Sequence, residues 1–141
     1  MSQIQFFSED TSFKPNLKGS ISLWIQQSIT NEKFELVSLN FIFCSDNYLL
    51  NINQEYLNHD YYTDIITFDN SLEPNHVEGD IFISIDRVKE NADQNSVPFP
   101  EELKRVLIHG VLHLCGYNDK TIEEKALMTE KENAYLTLAN F

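Results

Sequence analysis

Positive charge is scarce in this chain. Ten Lys and Arg stand against 22 Asp and Glu, giving a formal net charge of −12 and a pI near 4.5. That imbalance argues against a protein that coats DNA, because non-specific nucleic-acid affinity comes from cationic side chains neutralising phosphates. It leaves room for an enzyme that acts on RNA through a local site, and it favours solubility. Cysteine is scarce as well. Cys44 and Cys115 stand far apart in no paired motif, which excludes a disulfide framework. Four Gly and four Pro exclude a collagen-like or low-complexity chain. No apolar run approaches the ~20 residues of a membrane span. The first ten residues carry neither a basic start nor a long apolar stretch, so no signal peptide is visible. Together these absences predict a cytoplasmic protein with no membrane partner and no DNA partner.

What is present is enough for one domain over 1–141. With 141 residues and 42% hydrophobic content, the chain can build a sizeable core without staples. Ile4-Gln5-Phe6 alternates as a first strand does. A helix is expected over 15–30, with Leu17, Ile21, Trp24, Ile25 and Ile29 as its apolar stripe. Residues 39–44 read as a strand. Asp46 then offers an N-cap to a helix with Leu49, Leu50, Asn53, Tyr56 and Leu57 at helical spacing. Residues 64–68 and 80–85 read as two more strands. A helix follows Asp86 and ends before Pro98; another begins near Pro100 and stops at Gly116. A last helix from Thr121 carries Ile122, Ala126, Met128, Tyr135 and Leu136. The order β-α-β-α-β-β-α-α-α predicts an α+β fold, a four-stranded mixed sheet packed in one layer pair with about five helices.

The chemistry concentrates in His109-Gly110-Val111-Leu112-His113-Leu114-Cys115-Gly116-Tyr117-Asn118-Asp119. Residues four apart share one helix face, so His109 and His113 point the same way. The surrounding residues are apolar almost all round, which predicts a buried helix. Two adjacent imidazoles there need partners, and burial disfavours their charged forms. A divalent metal answers both needs. Gly116 can end the helix sharply in a left-handed conformation, and Asp119 then arrives six residues after His113. The spacing His-x3-His-x2-Gly-x2-Asp is that of zincin-like sites with Asp as third ligand. Two His and one carboxylate suit zinc and leave a position for water, which such an ion activates near neutral pH. Gly110 stands where His-Glu-x-x-His proteases carry their general base. No other dedicated base is visible, so attack by water or by an RNA 2′-hydroxyl stays open, and the catalytic residues are left unassigned beyond the three ligands. His59 and His76 lack such company and read as loop or helix-end residues. Thr63 and Asp64 precede an apolar strand, where they are candidate substrate-binding residues; turn chemistry explains them as well. Arg87, Lys89, Lys104 and Arg105 are the nearest thing to a basic cluster, and a solvated helix face accounts for them equally.

The run from His109 to Tyr117 resembles the signature of the YbeY family of metal-dependent endoribonucleases. So do Thr63-Asp64-Ile65-Ile66-Thr67-Phe68 and Gly79-Asp80-Ile81. Asp46, Ile52-Asn53 and Tyr56 fall in the family's order, and Met128 and Glu132 match its last helix. The resemblance extends over about 37–135. It implies a single-strand-specific endoribonuclease of ribosomal RNA maturation, notably at the 3′ end of the small-subunit RNA, and of ribosome quality control. It also implies one Zn2+ held by His109 and His113, and partners in single-stranded ribosomal RNA and the small subunit or its proteins. The family usually carries His where Asp119 stands and Arg where Leu57 stands. A ribosome-assembly factor with a structural metal is the alternative reading; a metallopeptidase is a weaker one.

Overall fold

The computed structural model describes residues 3–59 and 62–141. Its elements run β1 (Ile4–Ser8), α1 (Lys18–Asn31), β2 (Glu35–Cys44), α2 (Asp46–Leu57), β3 (Ile65–Asp69), β4 (His76–Ser84), α3 (Ile85–Gln94), α4 (Phe99–Leu114) and α5 (Ile122–Leu136). The sheet order is β1-β2-β4-β3. β1, β2 and β4 run parallel, and β3 pairs antiparallel with β4. This is the mixed α+β architecture that the alternation of patterns predicts.

Several boundaries differ from the pattern-based expectation. β2 and β4 each begin four residues earlier than their apolar runs, at Glu35 and His76. The first residues of β2 alternate between exposed and half-buried, and those of β4 between half-buried and buried with Val77 in the core, so neither start shows a continuous apolar run. α1 begins at Lys18 rather than at residue 15. Leu17 takes a left-handed conformation just before it and is 59% exposed, so it drops out of the buried stripe. The cap of α2 is Ser45, whose hydroxyl accepts from the Tyr48 backbone N–H at 3.2 Å, and Asp46 is the first helical residue. Ser84 plays the same part for α3, which therefore starts before Asp86. On α2, Leu49, Ile52 and Asn53 are buried, while Tyr56 and Leu57 face solvent. On α5, Ile122 and Ala126 are exposed, and the buried stripe is Met128, Glu132 and Tyr135.

The core lies between the sheet and a layer formed by α1, α3, α4 and α5. Leu39, Phe41 and Phe43 of β2 with Val77, Ile81 and Ile83 of β4 form its floor. α4 crosses that floor with Leu103, Val106, Leu107, Ile108, Val111, Leu112 and Leu114 all buried. Each such side chain contributes ~1.5–3 kcal/mol on leaving water. α2 alone covers the other face, over a smaller cluster of Cys44, Leu49, Ile52 and Ile66. The sheet is thus covered on both faces, unequally, rather than on one.

Two glycines set how tightly α4 and the sheet edge close. A Cβ at Gly110 would lie 2.8 Å from Ile65 Cδ1 and 3.0 Å from Ile81 Cγ2. One at Gly79 would lie 2.3 Å from the Phe68 carbonyl oxygen. The first obstacle is side-chain ends that can shift. The second is backbone held in the β3–β4 ladder. Overpacking costs ~1–3 kcal/mol, and Gly→Ala in a helix returns ~1 kcal/mol of propensity. Gly79→Ala is therefore expected at or above the top of that range and Gly110→Ala near its bottom. Urea denaturation orders the two, and a Gly79→Ala protein as stable as the parent contradicts this packing.

Candidate metal centre

α4 brings His109 and His113 together by its own periodicity. Their rings meet edge to face with centroids 4.6 Å apart, and their Nε2 atoms are separated by 3.1 Å. Only one proton can sit between two such nitrogens. Asp119 completes the group: its Oδ2 lies 3.3 Å from His109 Nε2 and 3.4 Å from His113 Nε2. These three side chains are the one cluster of potential metal ligands found among the described residues.

Local motifs on both sides deliver Asp119. α4 ends in a Schellman turn: the Tyr117 N–H donates to the Leu112 carbonyl and the Gly116 N–H to the His113 carbonyl, each at 3.0 Å. Gly116 has φ +96°, a conformation costly for residues with a Cβ. α5 opens with a capping box, in which Thr121 and Glu124 satisfy each other's backbone N–H groups. Glu124 also accepts from the Lys120 N–H at 3.1 Å. Only Asn118 and Asp119 lie between the two motifs, so little freedom is left to the carboxylate.

The donor atoms form a nearly equilateral triangle with edges of 3.1, 3.3 and 3.4 Å. Ligands of a tetrahedral zinc ion at ~2.0–2.1 Å stand about 3.3–3.4 Å apart. Two imidazole nitrogens and one carboxylate oxygen are also a normal zinc donor set. The residues fit a small divalent ion with one side left to solvent, Asp119 being 37% exposed at its side chain.

A buried carboxylate holds the site from behind, and its role is not legible from spacing. Glu132 Oε2 lies 2.6 Å from His109 Nδ1, and Glu132 Oε1 accepts from Arg105 at 2.8 Å. Because a carboxylate only accepts, the proton of His109 sits on Nδ1 and the Nε2 lone pair faces the triangle. Burial alone would lower the pKa of His109. The hydrogen bond and charge of Glu132, with the charges of Asp119 and Asp64, outweigh it and hold it above the ordinary value. The signal that marks Glu132 in the sequence is a carboxylate inside a buried stripe, four residues after Met128 and three before Tyr135.

Of the second pair of candidates, Asp64 is brought to the centre and Thr63 is used locally. Asp64 Oδ2 accepts from Asn91 at 3.3 Å. Burial raises its pKa against the lowering effect of His109, and the charges of Glu132 and Asp119 raise it further. Thr63 donates to the Ile65 carbonyl at 3.3 Å, a turn bond. His76 opens β4 rather than lying in a loop, with Nε2 3.1 Å from Glu35. His59 follows the end of α2, its N–H bonded to the Asn53 carbonyl at 3.1 Å. Neither joins the cluster. The cationic side chains do not form a patch: Arg87 pairs with Asp46, Arg105 with Glu132, and Lys104 is buried with its ammonium on the Phe141 carbonyl. Cys44 and Cys115 are buried and their thiols pushed up to about 12, so both are inert core residues.

A second buried carboxylate fixes the turn. Glu32, at the end of α1, accepts from the Tyr117 hydroxyl at 2.6 Å and from the Tyr135 hydroxyl, with Lys131 at 3.6 Å. Burial pushes its pKa up, but the two tyrosines and Lys131 prevail and hold it below the usual value.

The family model described as Endoribonuclease YbeY matches residues 3–140. A Cytophaga hutchinsonii protein named Endoribonuclease YbeY is 53% identical over 138 residues, covering 98% of this chain and 96% of its own. Its namesake from Flavobacterium psychrophilum is 52% identical over 132 residues, 94% of each chain. A solution structure of a Thermotoga maritima protein superimposes with a TM-score of 0.70 at 28% identity, covering 96% of this chain and 88% of that one.

Two outcomes follow. Glu132→Gln is expected to weaken metal binding about 10–100-fold, the usual effect of losing a partner that orients a ligand; competitive titration against a chelator reads it. Glu32 has a depressed pKa, so its contribution to stability is present above the unfolded value and is lost as pH falls through the folded value. Denaturation measured down the acid limb should therefore show a shallower loss of stability in Glu32→Gln. An unchanged slope would remove Glu32 from this role.

Proposed function

The chain belongs to the Endoribonuclease YbeY family, and from that premise we propose that it is a zinc-dependent endoribonuclease that cleaves single-stranded ribosomal RNA during maturation of the small subunit. His109, His113 and Asp119 are the residues that would hold the ion. The observation that carries the reading is the triangle of their donor atoms, 3.1–3.4 Å on a side and open to solvent on one side. When bound, a zinc ion supplies a Lewis acid for a phosphoryl oxygen and lowers the pKa of a water toward neutrality.

The chain's own side chains do the rest. Glu132, anchored by Arg105, keeps the His109 proton on Nδ1 and turns Nε2 to the ion. Asp64, steadied by Asn91, lies at the wall of the centre, where it would orient the sugar-phosphate of the substrate. Gly110 presses on Ile65 and Ile81, so no carboxylate base follows the first histidine. This favours phosphodiester cleavage over the peptidase chemistry that depends on such a base. A net charge of −12 supports delivery to RNA through basic proteins of the small subunit rather than through charge-driven binding of naked RNA. Among the described residues no helix is long and apolar enough to cross a membrane, in keeping with work in the cytoplasm.

Elemental analysis beside cleavage of a single-stranded oligoribonucleotide tests the reading. The parent protein should hold about one zinc ion and cleave; His113→Ala and Asp119→Ala should lose both metal and at least 100-fold in rate, the order of a missing metal-based step. Cyclic phosphate ends on the products would assign attack to the RNA 2′-hydroxyl, and 5′-phosphate with 3′-hydroxyl ends to water. Metal loading without any cleavage would leave a binding factor with a structural ion.

A further inference from the structure

Beside the metal centre, the segment 62–64 is joined to α3 by two rungs. Asp64 accepts from Asn91, and Tyr62 lies under Arg87, whose guanidinium carbon is 5.6 Å from the ring centroid. Arg87 and Asn91 are four residues apart and so share one face of α3. Tyr62 and Asp64 therefore both turn toward that face, and Asp64 lies close enough to the centre to feel the charges of His109 and Asp119. Two residues span at most ~7 Å of chain, the reach of one or two nucleotides of a single strand.

Tyr62 is unusual for its position. Its side chain is large and aromatic, yet it is 51% exposed two residues before Asp64. Its hydroxyl reaches Asn47 Oδ1 at 3.5 Å. Arg87 is itself fixed, its Nε bonded to both oxygens of Asp46 at 3.1 Å, and Asp46 accepts in addition from the Ser84 hydroxyl at 2.7 Å. A cation held against one face of a ring by a fixed ion pair both orients the ring and makes it a better stacking partner. The exposed part of the ring is a flat apolar surface beside the cleft.

We propose that Tyr62, backed by Arg87, is the platform on which a base of single-stranded RNA stacks one or two nucleotides from the phosphate at the metal centre. This rests on the endoribonuclease reading above. The charge balance of the chain strengthens it. Arg87, Arg105 and Lys104 are held by Asp46, Glu132 and the Phe141 carbonyl rather than offered to phosphate. Bases then supply affinity that these three cations do not, and one stacked base is worth about five- to a hundredfold. Stacking tolerates any base, since each has a π-face. The platform therefore selects unpaired strand over duplex without selecting sequence.

The test compares KM and kcat for the parent, Tyr62→Ala and Tyr62→Phe on one single-stranded oligoribonucleotide. The same strand is then used with a single abasic residue moved stepwise past the cleavage point. Tyr62→Ala should raise KM about tenfold with kcat within about twofold, and Tyr62→Phe should restore most of it. An abasic residue at one position should raise KM for the parent and have no effect in Tyr62→Ala. Thermal unfolding of Tyr62→Ala at the parental temperature shows that the fold is intact. Cleavage by Tyr62→Ala with unchanged KM overturns the inference alone. So does Tyr62→Phe being as impaired as Tyr62→Ala, since the hydroxyl bond to Asn47 would then be what matters. A parent protein that cleaves no RNA overturns the endoribonuclease reading and this inference with it.

Discussion

The closeness of α4 to the sheet governs the rest of the structure. Gly110 meets Ile65 and Ile81 so closely that even a methyl group would need their side-chain ends to shift. That contact places the histidines on either side of it along the helix at a fixed height above β3 and β4. One turn of helix then decides their mutual distance, and the rigid floor of Phe41, Phe43, Ile81 and Ile83 decides their direction. The same contact fixes the chemistry. A carboxylate at residue 110 would need room that the sheet occupies, so the step that a peptidase entrusts to that position has no place here.

Two buried carboxylates then tie the helix and its following turn to the remaining elements. Glu132 joins α5 to Arg105 and His109 on α4; Glu32 joins the end of α1 to Tyr117 in the turn and Tyr135 on α5. Burying a charge is costly unless it is paired and hydrogen-bonded. Both glutamates meet that condition, and among the described residues no buried side-chain polar atom is left without a partner. α5 contributes to both clamps. It positions His109 on α4 and, through Tyr117, the turn that presents Asp119.

The element order, the mixed sheet and the grouping of His109, His113 and Asp119 were legible because each leaves a periodic or spaced trace. His109 and His113 stand at helical spacing, Gly116 marks the stop, and Thr121 marks the next start. What stayed hidden is what depends on tertiary contact. The first halves of β2 and β4 pair with each other with only alternate side chains turned inward, too short a pattern to read as a strand. Leu17 and Ile122 look like core residues in a helical pattern and are exposed, because the packing of α1 begins at Ile21 and that of α5 only at Met128. Glu132 looks like a surface charge and is the partner of a ligand. Arg87 and Arg105 look like a solvated face and are each bound to a buried or half-buried carboxylate.

That last point changes what the acidic composition means. A surplus of twelve negative charges would matter less if the few cations were gathered at the cleft. Three of the ten, Arg87, Arg105 and Lys104, are instead used to hold Asp46, Glu132 and the Phe141 carbonyl. Asp64 and Asp119 leave the centre negative, Glu132 being balanced by Arg105, a field that attracts a divalent cation and repels a bare phosphate. A metal ion in the triangle reverses the sign of that field at one point only. Phosphate is then welcome at that point and unwelcome around it. An RNA strand would enter by its bases along Tyr62 and meet charge attraction only at the phosphate to be cut, which concentrates binding energy at the reacting centre rather than along the strand.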